Sequence, residues 1–173
     1  MVQFMPDREA ITDKVADKKE MAADQAIVRF LEERDIPATF LLMKELAAFE
    51  DYADDFRITQ AYLKNNGLGP NPLFHTLVVE VNKEVQGYGV FYYVPFTYHG
   101  RPKMVLKEFY CSSQARGRGL GSLLFDRLKR EAEQQGACLI EWLVLTDNEP
   151  AKSFYRRQGG VCDSKWETWY FSC

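Results

Sequence analysis

Three glycines alternate with other residues in the segment 114–122, whose sequence is QARGRGLGS. Glycines let the backbone approach a ligand closely and turn its N–H groups inward. An amphipathic helical pattern begins at Leu120, and the N-terminus of a helix attracts anions. Arg116 and Arg118 add mobile positive charge. The segment therefore predicts an anion-binding loop that is suited to a phosphate group.

The spacing excludes two common kinds of phosphate loop. A nucleoside-triphosphate loop needs a lysine after its last glycine, and a dinucleotide-binding loop needs a third glycine where this chain has Ser122. A tight strand-to-helix turn without a ligand is the alternative interpretation, which a lone pair of glycines would favour. Three alternating glycines with two arginines favour binding.

The charge distribution supports a local anionic ligand. The chain has 22 Lys and Arg against 25 Asp and Glu, and this net charge of −3 excludes a generally basic nucleic-acid-binding protein. The stretch 101–130 nevertheless contains eight bases and two acids. Positive charge is therefore predicted to be concentrated around the loop.

Length and composition indicate one domain with a substantial core, because 46% of the 173 residues are hydrophobic. No apolar run approaches the ~20 residues that cross a bilayer, and the charged start does not resemble a signal peptide, so we expect a cytoplasmic protein. The four cysteines form no CxxC pair and are expected to be reduced thiols. The two histidines have no metal-ligand spacing, so no metal site is expected.

The elements around the loop alternate between the two periodicities of secondary structure. Strands are predicted at 26–31, 74–81, 87–96, 104–111, 138–145 and 166–172, and helices at 35–49, 57–66, 120–135 and 149–158. The three middle strands suit an antiparallel meander, Asp35 is expected to cap the first helix, and 138–145 is expected to be central. Residues 1–25 carry six acids and four bases and are predicted to form a helical or mobile extension. The order predicts a single mixed α/β domain over 26–173.

The loop is part of a wider resemblance. RGRGLG is similar to the acyl-CoA loop, Arg/Gln-x-x-Gly-x-Gly/Ala, of the GCN5-related N-acetyltransferase (GNAT) family, and NEPAKSFY (148–155) resembles the family's next signature. The segments LMKELAAFE (42–50) and NPLFHTLVVEV (71–81) resemble the spermidine/spermine acetyltransferase branch, which includes thialysine acetyltransferases. The resemblance spans about residues 26–171. It implies the GNAT fold, with a mostly antiparallel sheet splayed around acetyl-CoA beside strand 104–111 and flanked by helices.

The resemblance also implies which residues bind acetyl-CoA. The strand backbone would hold the pantetheine arm and polarise the thioester carbonyl, the loop would hold the pyrophosphate, and the start of the last helix would flank the pantetheine. These residues are Phe109, Tyr110, Cys111, Arg116, Gly117, Arg118, Gly119, Leu120, Gly121, Ser122, Asn148, Glu149, Pro150 and Ala151.

Acetyl transfer to an amine needs a neutral nitrogen and a proton for the departing thiolate. Tyr155 matches the family's general acid, and a phenol with a pKa of ~10 stays protonated at neutral pH and can donate to a thiolate. Without the resemblance, a core aromatic beside Phe154 would be the preferred interpretation.

The general base stays open. The family places a glutamate where this chain has Lys107, and neighbouring strand residues face opposite sides, so Glu108 replaces it only if a bulge intervenes. Lys107 either repels the second ammonium of a polyamine, pairs with an acid, or is a solvated strand lysine.

Several acids and apolar residues are candidates for binding the acceptor. The resemblance implies amine contacts at Phe49 and Glu50, within an acidic run whose ordinary alternative is a solvated helix end. It also matches Glu141, Trp142 and Leu143 to a substrate-lining segment. Glu141 is predicted to be either a water-mediated base or a member of a structural ion pair.

Together these features predict an enzyme that acetylates a primary amine of a small cationic acceptor, which is a polyamine, a diamine or a thialysine- or lysine-like amine. Direct attack in a ternary complex is favoured over a covalent route through Cys111. A protein or peptide amine acetyltransferase and a non-catalytic acyl-CoA-binding module are the alternatives. A homodimer is expected by analogy, with the aromatic tail at 166–171 as its contact, and neither a nucleic acid nor a membrane is an expected partner.

Overall fold

The structure, a computed structural model, describes residues 26–172. Its contacts divide the chain into two units after Trp142, and each unit is described by itself. The predicted extension at 1–25 lies outside the described residues, and the single domain over 26–173 stays a prediction. Within the described part, no helix has the length and apolar character needed to span a membrane.

A five-stranded sheet forms the centre of the first unit, in the order β1-β2-β3-β4-β5. The first four strands, β1 (Ala26–Phe30), β2 (His75–Val81), β3 (Glu84–Phe96) and β4 (Arg101–Cys111), pair antiparallel in sequence. The last, β5 (Ile140–Trp142), runs parallel to β4. The predicted meander and the mixed α/β class are confirmed.

Helices cover both faces of this sheet. One face packs against α1 (Ile36–Phe49) and α2 (Gln60–Gly67) through a core that includes Leu46, Leu63 and Tyr88. The other face packs against α3 (Leu120–Gln134), whose buried residues include Leu124 and Leu128. Since the strand side chains alternate between the faces, apolar residues fill β2 almost completely.

The start of α1 is fixed by a charged cluster and not by the predicted cap. Asp35 makes no capping bond to α1, and its carboxylate accepts bonds from Arg29 at 2.6 and 2.9 Å and from the Glu32 N–H at 2.8 Å. Arg29 also bonds Glu80 on β2. Burial, the largest single effect, raises the pKa of the Asp35 carboxyl, but the bonds from Arg29 and the Glu32 N–H together with the charges of Arg29 and Arg34 outweigh it and lower the pKa. The cluster therefore links β1, β2 and α1.

Two strand predictions are wrong. The segment 138–145 was expected to be central, but only Ile140–Trp142 pairs, at the edge of the sheet. The segment 166–172 forms no strand, and Trp166 and Trp169 are 81% and 86% exposed. Both segments have a high β propensity, yet a strand also needs a hydrogen-bonding neighbour along its length.

The second unit contains α4 (Glu149–Arg157), which Asn148 caps by accepting a bond from the Ala151 N–H at 3.1 Å. Pro150 lies in the first turn, where its missing N–H costs no helical bond. Glu149 pairs with Lys152 at 2.8 Å, which lowers the pKa of its carboxyl. The predicted last helix is thus confirmed.

We predict that Gly87→Ala destabilises the protein more than Gly89→Ala, two residues away on β3. A Cβ at Gly87 would lie 2.7 Å from both the Tyr110 carbonyl oxygen and the Cys111 Sγ, whereas one at Gly89 would meet the flexible end of Leu128 at 3.3 Å. Because a carbonyl oxygen cannot move without its strand, the first change should cost about 2 kcal/mol and the second about 1 kcal/mol or less. Urea unfolding of both variants measures the difference, and equal losses would contradict the packing of β3 against β4.

Candidate functional site

The loop between β4 and α3 has the backbone that the sequence predicted for an anion site. Gly117 and Gly119 adopt left-handed φ angles of 75° and 80°, which favour glycine, and a Cβ built on either would meet nothing within 4 Å. The first turn of α3 contains no acid and has no side-chain cap. The N-terminal N–H groups of α3 therefore create a positive potential, and no acidic side chain in that turn offsets it.

Turn hydrogen bonds brace the start of this loop. The Ser112 N–H donates to the Gln86 carbonyl at 2.9 Å, and the Ala115 N–H donates to the Ser112 carbonyl at 3.0 Å. Ala115 is buried, whereas Arg116 is exposed and its guanidinium lies 5.7 Å from the Tyr110 ring centroid. The Ser112 side chain adds to this turn, because its hydroxyl donates to Gln86 Oε1 at 3.1 Å and accepts from the Ala115 N–H at 3.2 Å.

The positive charge is less concentrated at the loop than predicted. Four of the eight bases in 101–130 are directed to other partners. Arg101 donates to the Gly136 and Ala137 carbonyls, and the other three pair with nearby acids. These ion pairs are Lys103 with Glu141, Arg127 with Glu131, and Lys129 with Asp126. Arg116 and Arg118 remain the bases within the loop itself.

The ladder between β4 and β5 is short. β4 pairs with β3 over its whole length, but its ladder with β5 covers only Met104–Leu106. The predicted pantetheine-binding residues Phe109, Tyr110 and Cys111 lie beyond that ladder, directly before the loop. An extended ligand could therefore run along this edge towards the loop.

Cys111 has the properties of an unreactive thiol. Burial raises its pKa to about 12, and the nearby Arg116 offsets only part of that shift. The thiolate, which is the nucleophilic form, is therefore scarce at neutral pH.

A β-bulge changes which residues of β4 face the α1 side of the sheet. Glu108 pairs with Val90 and Leu106 pairs with Phe91, so Lys107 is an extra residue on β4. The Tyr88 hydroxyl donates to the Glu108 carboxylate at 2.8 Å. The bulge that Glu108 would need in order to replace its neighbour is thus present.

Glu108 lies in a cavity of about 320 Å³ on the α1 side of the sheet. Burial raises the pKa of Glu108, while the bond from Tyr88 and the Lys107 ammonium partly oppose the rise. Burial also raises the pKa of Glu50 at the end of α1, against the opposing effect of Lys107. The cavity is lined by Met43, Ile58, Tyr62, Leu73, Phe74, Val90, Tyr92, Lys107 and Glu108.

Of the predicted acceptor-binding residues, Lys107 and Glu108 line this cavity and Glu50 is coupled to it by charge. The others are not among the described residues that line it. Phe49 is 54% exposed, and the Trp142 ring packs 5.6 Å from Phe125. Leu143, in the second unit, is 76% exposed.

Glu141 is an exposed member of an ion pair. Its carboxylate lies 2.7 Å from the Lys103 ammonium, with half of the Glu141 side chain exposed. The sequence left this pairing open beside a role as a base, and the geometry matches the ion pair.

The sequence missed the apolar wall of the cavity. Tyr62, Leu73 and Phe74 come from α2 and the segment before β2, which the sequence assigned to no site. Val90 and Tyr92 could have been found, because they lie two residues apart on β3 and therefore share a face with Tyr88.

In the second unit, Tyr155 lies on α4, half-buried, with its ring 5.2 Å from that of Phe154 in an edge-on arrangement. Asn148, Glu149, Pro150 and Ala151 form the start of the same helix. The predicted acid and these four predicted cofactor-binding residues thus belong to one short element.

Comparison with known proteins adds independent information. The model of the acetyltransferase (GNAT) family matches residues 37–160. A thialysine N-epsilon-acetyltransferase from Sus scrofa is 28% identical over 152 residues, which cover 83% of this chain and 89% of that protein. The human spermidine/spermine N(1)-acetyltransferase-like protein 1 is 29% identical over 159 residues, or 88% of this chain, but the chain spans only 23% of its length.

Solved structures share the fold. An aminoglycoside acetyltransferase from an uncultured soil metagenome superimposes with a TM-score of 0.73 at 15% identity, over 87% of this chain and 97% of that one. At such identity the likeness concerns the fold alone.

Proposed function

The chain belongs to the acetyltransferase (GNAT) family, and we propose that it transfers an acetyl group from acetyl-CoA to a primary amine of a small cationic acceptor. The observation that carries the acceptor side of this proposal is the cavity of about 320 Å³ that contains the Glu108 carboxylate. A cavity of this size suits a small molecule. The similarity to the thialysine enzyme supports the same acceptor class.

Acetyl-CoA is the acetyl donor of this family, and the residues of the first unit fit it. The loop offers Gly117 and Gly119 with open space above their backbone, and the edge of β4 beyond Leu106 offers an extended surface. Arg116 and Arg118 would add charge for the pyrophosphate. When bound, the thioester supplies the acyl group and a thiolate leaving group.

The proposed reaction includes two proton transfers, and a different residue of the chain takes part in each. As the C–N bond forms and the C–S bond breaks, the acceptor nitrogen loses a proton and the sulfur gains one. We assign the first proton to Glu108, since its raised pKa makes the carboxylate a stronger base, and the second to the Tyr155 hydroxyl. The scarcity of Cys111 thiolate supports direct attack in a ternary complex.

We expect Tyr155→Phe to lower kcat for a small amine by about a hundredfold, because the thiolate loses its proton donor. The measurement is the release of free CoA from acetyl-CoA with spermidine, putrescine, thialysine, lysine, a lysine-containing peptide or no acceptor. Tyr98→Phe is the matched control, since Tyr98 is 94% exposed in the β3–β4 turn. Unchanged kcat in Tyr155→Phe would refute the acid role.

The same panel separates the other functions. Turnover of the peptide alone would favour a protein acetyltransferase. Binding of acetyl-CoA without turnover of any amine would favour a non-catalytic module.

A second prediction concerns the pH dependence of kcat/KM. Glu108 accepts a proton only when ionised, so activity falls as the pH drops through its pKa. The bond from Tyr88 lowers that pKa, so Tyr88→Phe should raise it and move the acid limb to higher pH. The ionisation of the acceptor amine is the same for the wild-type protein and for Tyr88→Phe, so it does not affect the difference between their pH profiles.

Tyr93→Phe serves as the control for this prediction, because the Tyr93 hydroxyl donates to the Glu131 carbonyl and not to Glu108. An acid limb that stays in place in Tyr88→Phe would exclude Glu108 as the base.

We also propose that the protein forms a homodimer through its aromatic tail, in which Trp166, Trp169, Tyr170 and Phe171 are 81–90% exposed. Such a run of exposed aromatic side chains is typical of a covered surface. Sedimentation equilibrium should give about twice the 20.0 kDa chain mass, and Trp166→Ser with Trp169→Ser should shift it towards the monomer. Tyr98→Ser should not, and a monomeric wild-type protein would refute the proposal.

A further inference from the structure

Lys107 gives the acceptor cavity an unusual charge pattern for a polyamine site. It is the only base among the cavity-lining residues of the described chain, and the bulge places it beside Glu108 on β4. Its ammonium also acts on Glu50 at the end of α1. The positive charge of Lys107 therefore acts on both carboxylates, which would otherwise attract ammonium groups.

The rest of the cavity wall carries no charge. Seven of its nine residues are apolar or aromatic, with Tyr62, Phe74 and Tyr92 supplying ring surfaces. Such a wall accommodates a hydrocarbon chain, and among the described residues that line it Glu108 is the one acid that a second ammonium would meet. In the proposed reaction Glu108 is engaged with the reacting amine, and the positive charge of Lys107 acts on Glu50 as well.

We propose that Lys107 is a specificity-determining residue that disfavours di- and polyamines and selects acceptors that carry a carboxylate at the end of the chain opposite the reacting amine. This inference rests on the proposed function and narrows its acceptor class to amino-acid-like amines. The ammonium of Lys107 repels a second ammonium of the acceptor and offers donors to a carboxylate at the same place. At a separation of about 4 Å near a protein surface, the repulsion is large enough to change relative rates by about tenfold or more.

The test compares acceptors that differ only in this group. Lysine and 1,5-diaminopentane share one carbon chain and one reacting amine, but only lysine has the carboxylate, and 6-aminohexanoate has the carboxylate without the second amine. We expect kcat/KM of the wild-type protein for lysine and for 6-aminohexanoate to exceed that for 1,5-diaminopentane by about tenfold. Lys107→Gln should bring the ratio close to one, and Lys107→Glu should invert it.

The ratio within one protein preparation is independent of how much of the variant is folded. Lys83→Glu is the control, because it makes the same charge change at the exposed turn between β2 and β3 and should leave the ratio unchanged. Thermal unfolding of all variants separates a loss of structure from a change of preference.

The outcomes distinguish a failure of the Lys107 role from a failure of the proposed acetyltransferase function. A wild-type preference for 1,5-diaminopentane, or a ratio that Lys107→Gln and Lys107→Glu leave unchanged, would overturn the role of Lys107 while the amine acetyltransferase activity stands. No CoA release with any of these amines or with the wider panel would overturn the proposed function and this inference with it.

Discussion

Strand β4 is hydrogen-bonded to β3 along its whole length but to β5 over only part of it. The geometry of the proposed site depends on this difference in pairing. Its hydrogen bonds to β3 run from Arg101 to Cys111, whereas those to β5 stop after Leu106. A strand edge that loses its neighbour midway exposes main-chain groups in the middle of a sheet, where edges are normally protected. Extended ligands use such edges by adding to the sheet. In the proposed reaction, the part of β4 beyond Leu106 would hold the extended donor through its main-chain groups.

The bulge at Lys107 lies next to the point where that ladder ends. Before the bulge, Leu106 faces the core, and one extra residue re-aims the side chains that follow. Glu108 then reaches Tyr88, a fully buried tyrosine whose hydroxyl needs a partner. Burial of this pair raises the pKa of both groups, so a carboxylate with an altered basicity follows directly from a local backbone irregularity. Strand pairing and proton chemistry are therefore coupled at this position.

The sequence predicted the fold class and most elements, because their signals are local. Gly117 and Gly119 indicated a turn with left-handed backbone angles, and the spacing of Leu124 and Leu128 indicated a buried helix face. The errors concern pairing. The run at 138–145 is apolar throughout, yet only three of its residues find a partner on β4. The bulge at Lys107 has no local signature either, since it is defined by the register of β3 against β4.

The same distinction separates the proposed donor loop from the proposed acceptor cavity. A loop that holds phosphate groups by its backbone needs glycines at fixed spacing, and these are contiguous in the sequence. The acceptor cavity takes its side chains from α1, α2, β3, β4 and the segment before β2, which meet only in the folded chain. The proposed role of Lys107 would make acceptor choice depend on this cavity and not on the loop, so substrate choice must be argued from the cavity of each chain.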